Sequence, residues 1–170
     1  MSKKENSLES LGGLSKQELV SFINHLLKEG RIYEYELQDL LKIKQIHLPL
    51  SIFNNRELSS LETICKYLKE NLSLSYHEIA LILNRDDRTI WSTYNNSIRK
   101  RKPSLPVKPS EHHIPIEIFQ NRNLAVLQSL VVYLKDSLHL SYHQVALALR
   151  RNDRTIWTTY NQAKKRLSNV

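Results

Sequence analysis

Apolar residues Leu58, Leu61, Ile64, Cys65 and Leu68 recur at spacings of three and four, which predicts a helix buried along one stripe. A break at 71–74 separates it from a second helix, whose apolar side is Ile79, Ile82 and Leu83. After a short break at Asn84-Arg85, Ile90, Tyr94 and Ser97 or Ile98 mark the inner side of a third helix running to about Lys100. The helix starts carry their own signals. Ser75 with Glu78, and Ser141 with Gln144, form capping boxes, in which each side chain satisfies the other residue's free N–H. Asp86 and Asn152 are N-caps for the third helix of their respective copies.

The pattern occurs twice. Residues 48–98 align without gaps on residues 114–164 at an offset of 66, with 27 of 51 positions identical. Two copies are too few for a solenoid and indicate a duplicated domain. In the second copy Leu124, Leu127, Leu130, Val131 and Leu134 form the first stripe, and Ile156, Tyr160 and Ala163 line the last helix. Each copy opens with a Pro and a Phe, Pro49 and Phe53 or Pro115 and Phe119. Upstream, Ser15 with Glu18 is a third capping box, and Gly30 breaks two apolar stripes, Leu19-Phe22-Ile23-Leu26 and Tyr35-Leu37-Leu40-Leu41. The expected organisation is all-α: a flexible N-terminus (1–13), a helical hairpin (14–46), a tri-helical module (47–102), a linker (103–113) and a second tri-helical module (114–170).

In the linker Pro103, Pro106 and Pro109 recur every third residue, which suits extended polyproline II. About 12 such residues would span roughly 37 Å, enough to tether two independent modules across one turn of B-DNA, about 34 Å. Tandem binding would then call for direct repeats, and a pseudo-dimer for inverted ones.

Charge narrows the partner class. The chain has a net charge of +8, and residues 84–102 and 150–170 carry more than all of it, at +4 and +5. Such focusing suits contact with a polyanion. The polar stretch 1–13 lacks the apolar core of a signal peptide, and no apolar run approaches the ~20 residues of a membrane span, so the expected location is cytoplasmic, at the nucleoid. Cys65 sits in an apolar stripe and reads as a small buried hydrophobe. No phosphate loop, metal-ligand spacing or nucleophile–base pair is apparent, so neither an enzyme nor a cofactor is expected.

A short break between the last two helices of each copy is the layout of a helix-turn-helix, whose second helix enters the major groove. Arg88, Trp91, Ser92 and Asn95, matched by Arg154, Trp157, Thr158 and Asn161, fall on one helical face together with Asp87 and Asp153. These are base-reading types: Arg bonds guanine, Asn pairs with adenine, and Ser or Thr bonds either. Arg85 and Arg151 in the turns, and the tails Arg99, Lys100, Arg101 and Lys164, Lys165, Arg166, are candidates for phosphate contact. Each has a plainer reading. The two Trp side chains could pack on Phe53 and Phe119 or on a partner; Asp87 and Asp153 could serve the helix dipole; the tails could be solvated ends. His77 and His143 are surface or capping residues or phosphate contacts, and His112-His113 is loop.

From Leu74 to Lys100 the chain resembles the helix-turn-helix in the fourth conserved region of bacterial sigma factors, within the winged-helix-like superfamily. The likeness rests on Leu74-Ser75, Glu78-Ile79-Ala80, Leu83 and Ile90. Residues 84–90 are also similar, more weakly, to the DNA-binding signature of the bacterial replication initiator. The resemblance covers about 27 residues per copy and implies major-groove binding, not a sigma factor, since no promoter-melting segment is present. Sigma-like turns usually place Gly and an apolar residue where this chain has Asn84-Arg85 and Arg150-Arg151. Asn tolerates the left-handed conformation and Arg tolerates it less, which puts the second turn's geometry at issue. Trp91 and Trp157 stand where that family often has a basic or polar residue.

The expected function is sequence-specific binding of double-stranded DNA as a transcriptional regulator or accessory factor. Two other readings stand beside it: an architectural or scaffold protein whose repeats bind protein, and a structured-RNA binder. The hairpin is expected to serve packing, self-association or a protein partner.

Overall fold

The computed structural model describes residues 46–168, together with Ser21, Asn24, His25, Lys28, Glu29 and Gly30 further upstream. The expected hairpin otherwise lies outside the described residues; within it, Glu29 and Gly30 form a turn with Gly30 at φ 65°. Residues 46–168 belong to one compact unit and are mostly helical.

Each copy starts with a strand that the sequence patterns did not disclose, β1 (His47–Pro49) and β2 (His113–Pro115), followed by a 3₁₀ turn, Leu50–Phe53 or Ile116–Phe119. Three residues ending in a proline are too few to alternate visibly. The helices follow: α1 (Ser60–Glu70), α2 (Tyr76–Ile82) and α3 (Asp87–Lys100) in the first copy. The second copy has α4 (Val126–Val132), which continues as a π turn at Tyr133–Ser137, then α5 (Tyr142–Ala148) and α6 (Asp153–Ser168).

The two modules are not tethered beads, contrary to the free-spacer reading of the linker. The strands pair antiparallel, with Leu48 opposite Ile114, His47 opposite Pro115 and Pro49 opposite His113. Leu48 and Ile114 are 66 residues apart, the repeat offset, and the two flanking pairs exchange places about them, so equivalent residues meet across a pseudo-twofold axis. Phe53 and Phe119, also equivalent, have ring centroids 6.2 Å apart. The buried residues of both copies form one core, in which Leu48 and Ile114 are wholly shielded from solvent. Arg56 Nε donates to the Arg150 carbonyl at 2.8 Å, and its equivalent, Arg122, donates to the Asn84 carbonyl at 2.8 Å. The linker is bound down as well: Leu105 is buried, Ser51 Oγ donates to the Lys108 carbonyl at 2.8 Å, and the Leu50 N–H donates to the His112 carbonyl at 3.0 Å.

Apolar burial dominates this seam. Each buried Leu, Ile or Phe stabilises by about 1.5–3 kcal/mol, whereas a hydrogen bond near solvent adds about 1 kcal/mol. The reciprocal Arg–carbonyl bonds therefore orient the halves more than they hold them.

Both tight turns have the same geometry. Asn84 (φ 51°) and Arg150 (φ 49°) are left-handed, and the N–H of the next residue returns to the carbonyl of Ala80 at 2.8 Å or Ala146 at 2.9 Å. This is a Schellman ending, and it answers the question raised by Arg150: its backbone takes the left-handed form despite its Cβ. The expected capping boxes are present at Ser75 with Glu78 and Ser141 with Gln144, and a further one, not foreseen from the sequence, starts α1 at Ser59 with Glu62. Only half a box survives at Ala125, where Gln128 Oε1 accepts the Ala125 N–H at 3.0 Å and Ala125 has no oxygen to return the favour.

The second copy thus carries two local defects that the first lacks. Arg150→Asn should stabilise the chain by about 0.5–1 kcal/mol by easing the left-handed turn, and Ala125→Ser by about 1 kcal/mol by completing the cap. Thermal unfolding of the two variants should show midpoints raised by a few degrees each. A lowered midpoint for either would contradict the corresponding assignment.

Candidate nucleic-acid interface

The third helix of each copy is fixed at its start by its N-cap. Asp86 accepts the Thr89 N–H at 2.8 Å and the Thr89 hydroxyl at 2.7 Å, bonds that hold its carboxyl below the ordinary range. Asn152 Oδ1 accepts the Thr155 N–H at 2.7 Å and the Thr155 hydroxyl at 2.6 Å. The inner side is uncharged and mostly small: Ile90 and Ser97 in α3, and Ile156, Thr159 and Ala163 in α6. A tyrosine locks each helix to the two before it. Tyr94 donates to Glu70 Oε1 at 3.3 Å and meets the Tyr76 ring at 5.8 Å; Tyr160 donates to Asp136 Oδ1 at 2.7 Å and meets the Tyr142 ring at 5.8 Å.

The outward side keeps the expected residues together. Arg88, Trp91 and Ser92 are exposed and Asn95 half-buried, while Arg154, Trp157, Thr158 and Asn161 are all exposed. Trp91 is 54% and Trp157 56% exposed. Neither ring is buried, whereas Phe53 and Phe119 lie in the core and face each other. Arg88 and Arg154 have no partner among the described residues. Ser92 and Thr158 hydroxyls donate to the carbonyls of Thr89 and Arg154, and Asn95 Nδ2 to that of Trp91 at 2.8 Å, so each must turn from its own helix to meet a ligand.

One stripe emerges on each helix. Arg88, Trp91 with Ser92, Asn95 and Arg99 lie at offsets of 0, 3–4, 7 and 11, which keeps them on one side over about 16 Å. Arg154, Trp157 with Thr158, Asn161 and Lys165 repeat the arrangement. Each stripe therefore has a cation at both ends and an aromatic ring, a hydroxyl and an amide between. Arg99 and Lys165 are exposed and unpartnered among the described residues.

Of the other basic residues expected to meet phosphate, four have partners within the fold. Lys100 is held by buried Glu62 at 2.7 and 2.9 Å, Arg101 by Glu57 at 3.0 Å, Lys164 by Asp136 at 3.1 Å and Arg166 by Gln128 at 3.2 Å. Lys100 and Arg166 thereby tie the third helix to the first, Lys164 ties it to the π turn that continues the first, and Arg101 to the segment just before the first. Arg85 and Arg151 do not stand on the outer face of their turns. Both line a mostly apolar cleft of about 390 Å³ with Ser59, Ser60, Leu61 and their equivalents Ala125, Val126 and Leu127, on the pseudo-twofold axis. Burial and the neighbouring Arg122 press the Arg85 guanidinium below its ordinary range.

Sequence reasoning missed the pairing of His77 with Asp87 at 3.1 Å, and of His143 with Asp153 at 3.2 Å. Both bridge the first turn of the preceding helix to the first turn of the stripe helix. The repeat signalled it, because both partners recur at the same offset of 66. Exposed Leu81 and Leu147, at 60% and 63%, were likewise unremarked. Cys65 is buried, and burial pushes its thiol up to about 12. Among the described residues no His, Cys, Asp and Glu cluster could hold a metal ion, and no helix is long and apolar enough to cross a membrane. No family model, curated protein or solved structure matches the chain.

The Lys100–Glu62 pair separates structural cations from free ones. Burial raises the Glu62 pKa, but bonds from Lys100 and Ser59 outweigh it and hold the carboxyl below its ordinary range. Its contribution to stability is then fully present above the unfolded value, about 4.3, and fades as pH falls through the lower folded value. Lys100→Ala should cost about 1–2 kcal/mol at neutral pH, and the loss should shrink in acid. Lys165→Ala should leave stability unchanged within about 0.5 kcal/mol. Chemical denaturation of both variants at neutral and acid pH checks this; equal losses would refute the division.

Proposed function

We propose that the chain binds double-stranded DNA through the α3 and α6 stripes, each entering a major groove. The observation that carries this reading is the duplicated stripe itself. Two equivalent helices leave Arg88 and Arg154 exposed and unpaired, with an amide and a hydroxyl beside them and a free cation at the far end, while neighbouring Lys and Arg residues are engaged within the fold. A guanidinium with a neighbouring amide suits base edges, and the end cations suit phosphates. The helix-turn-helix order and the focused positive charge support the same reading, with a regulator or accessory factor as the role. A second reading, binding of a protein partner as a scaffold, draws on the exposed Leu81, Leu147, Trp91 and Trp157. Those four apolar side chains suit a protein surface better than a sugar–phosphate backbone, but the unpaired guanidiniums at equivalent positions favour DNA.

Two measurements decide. If the four free stripe cations Arg88, Arg99, Arg154 and Lys165 displace about four counterions, affinity for duplex DNA should fall about a hundredfold between 50 and 200 mM salt; a flat salt response removes the polyanion reading.

On a selected site, Arg88→Ala and Arg154→Ala should each cost about 1–3 kcal/mol and relax discrimination at one base position. Arg99→Ala and Lys165→Ala should weaken all sequences alike and lower the salt slope by about one each. Indistinguishable behaviour of the two classes would contradict the assignment of base and phosphate roles.

A further inference from the structure

We propose that one chain recognises an inverted-repeat duplex, acting as a dimer whose two halves are joined in a single polypeptide. The inference rests on the DNA reading above and adds the symmetry of the ligand. A free tether would leave direct and inverted repeats equally open. The seam does not, because a direct repeat needs reading heads related by translation. The pairing of Leu48 with Ile114, of Phe53 with Phe119, and the reciprocal bonds of Arg56 and Arg122, each relate the copies by rotation.

The rotation reaches the reading heads themselves. Arg56 holds the carbonyl of Arg150, and Arg122 that of Asn84, so each helix-turn-helix is gripped at its turn residue by the opposite module. Arg85 and Arg151 line the same axial cleft. Arg88 and Arg154 lie three residues further along, within about 11 Å of them. Both stripe helices therefore start beside one cleft, on one side of the molecule. A twofold-related pair of reading heads matches the local twofold symmetry of duplex DNA, and half-sites in inverted order follow. The heads are fixed in one body, so the half-site spacing is fixed too.

The two half-sites should be nearly the same. Arg, Trp and Asn are identical in the two stripes, and the hydroxyl position differs only as Ser92 against Thr158. The Thr158 methyl can contact a thymine methyl, so departure from symmetry is expected at that one base pair.

The test is selection of the full chain against random duplexes, followed by binding to designed ones. An enriched inverted repeat, bound by one chain per duplex in native mass spectrometry, is the expected result. It should bind at least a hundredfold more tightly than a single half-site, since the second contact is intramolecular. Insertion of five base pairs between the half-sites turns one to the opposite side of the duplex and should reduce affinity to the half-site level. Enrichment of a direct repeat or a single half-site, indifference to the insertion, or two chains on one inverted repeat would overturn the proposal while leaving DNA binding standing. Enrichment of no motif would overturn sequence-specific DNA binding itself.

Discussion

The structure depends on equivalent residues meeting themselves. Leu48 sits opposite Ile114 and Phe53 against Phe119, and around that line the two cores merge into one. A two-stranded pair of three residues has no stability of its own. It persists because its side chains are buried between two sets of helices, and in return it sets their register. A slip of one residue would turn Leu48 and Ile114 out of the core and bring a His or a Pro into their place. The seam is isologous in the sense of a homodimer interface, although both surfaces belong to one chain.

From that seam the order of the remaining elements follows. The 3₁₀ turns carry Arg56 and Arg122 toward the opposite turns, and the left-handed Asn84 and Arg150 present their carbonyls to them. Asp86 and Asn152 then start the third helices. Tyr94 and Tyr160, with Lys100, Lys164 and Arg166, fasten those helices back to the first helix of their own module. What is left facing outward is a narrow stripe with few internal partners.

Helices and their caps were legible in the sequence because they are local. Period, N-cap and the third-position Glu or Gln all lie within four residues of one another, and the structure places them where the pattern does. The outward set Arg88, Trp91, Ser92 and Asn95 was legible for the same reason, since helical phase alone decides which side chains share a side. The seam was not. His47 to Pro49 is too short to show alternation, and its partner lies 66 residues away. Prolines at 103, 106 and 109 suggested an extended spacer, but nothing local could show that Leu105 would be buried or that Ser51 would hold Lys108. Nor could local pattern tell a free cation from a committed one: Lys100 and Arg99 are neighbours in sequence, yet only Lys100 comes within reach of Glu62.

Joining the two halves in one chain changes how they can diverge. In a homodimer any substitution appears on both sides of the axis, and a weak cap or a strained turn is incurred twice. Here Ser59 faces the axial cleft opposite Ala125, and Asn84 corresponds to Arg150, so each weakness is confined to one half. The seam also forms without an encounter between molecules. Its assembly is a unimolecular folding event, so the integrity of the paired heads does not decline on dilution as a dissociating dimer's would. A cell holding only a few copies of this chain would have every one of them already paired at this seam.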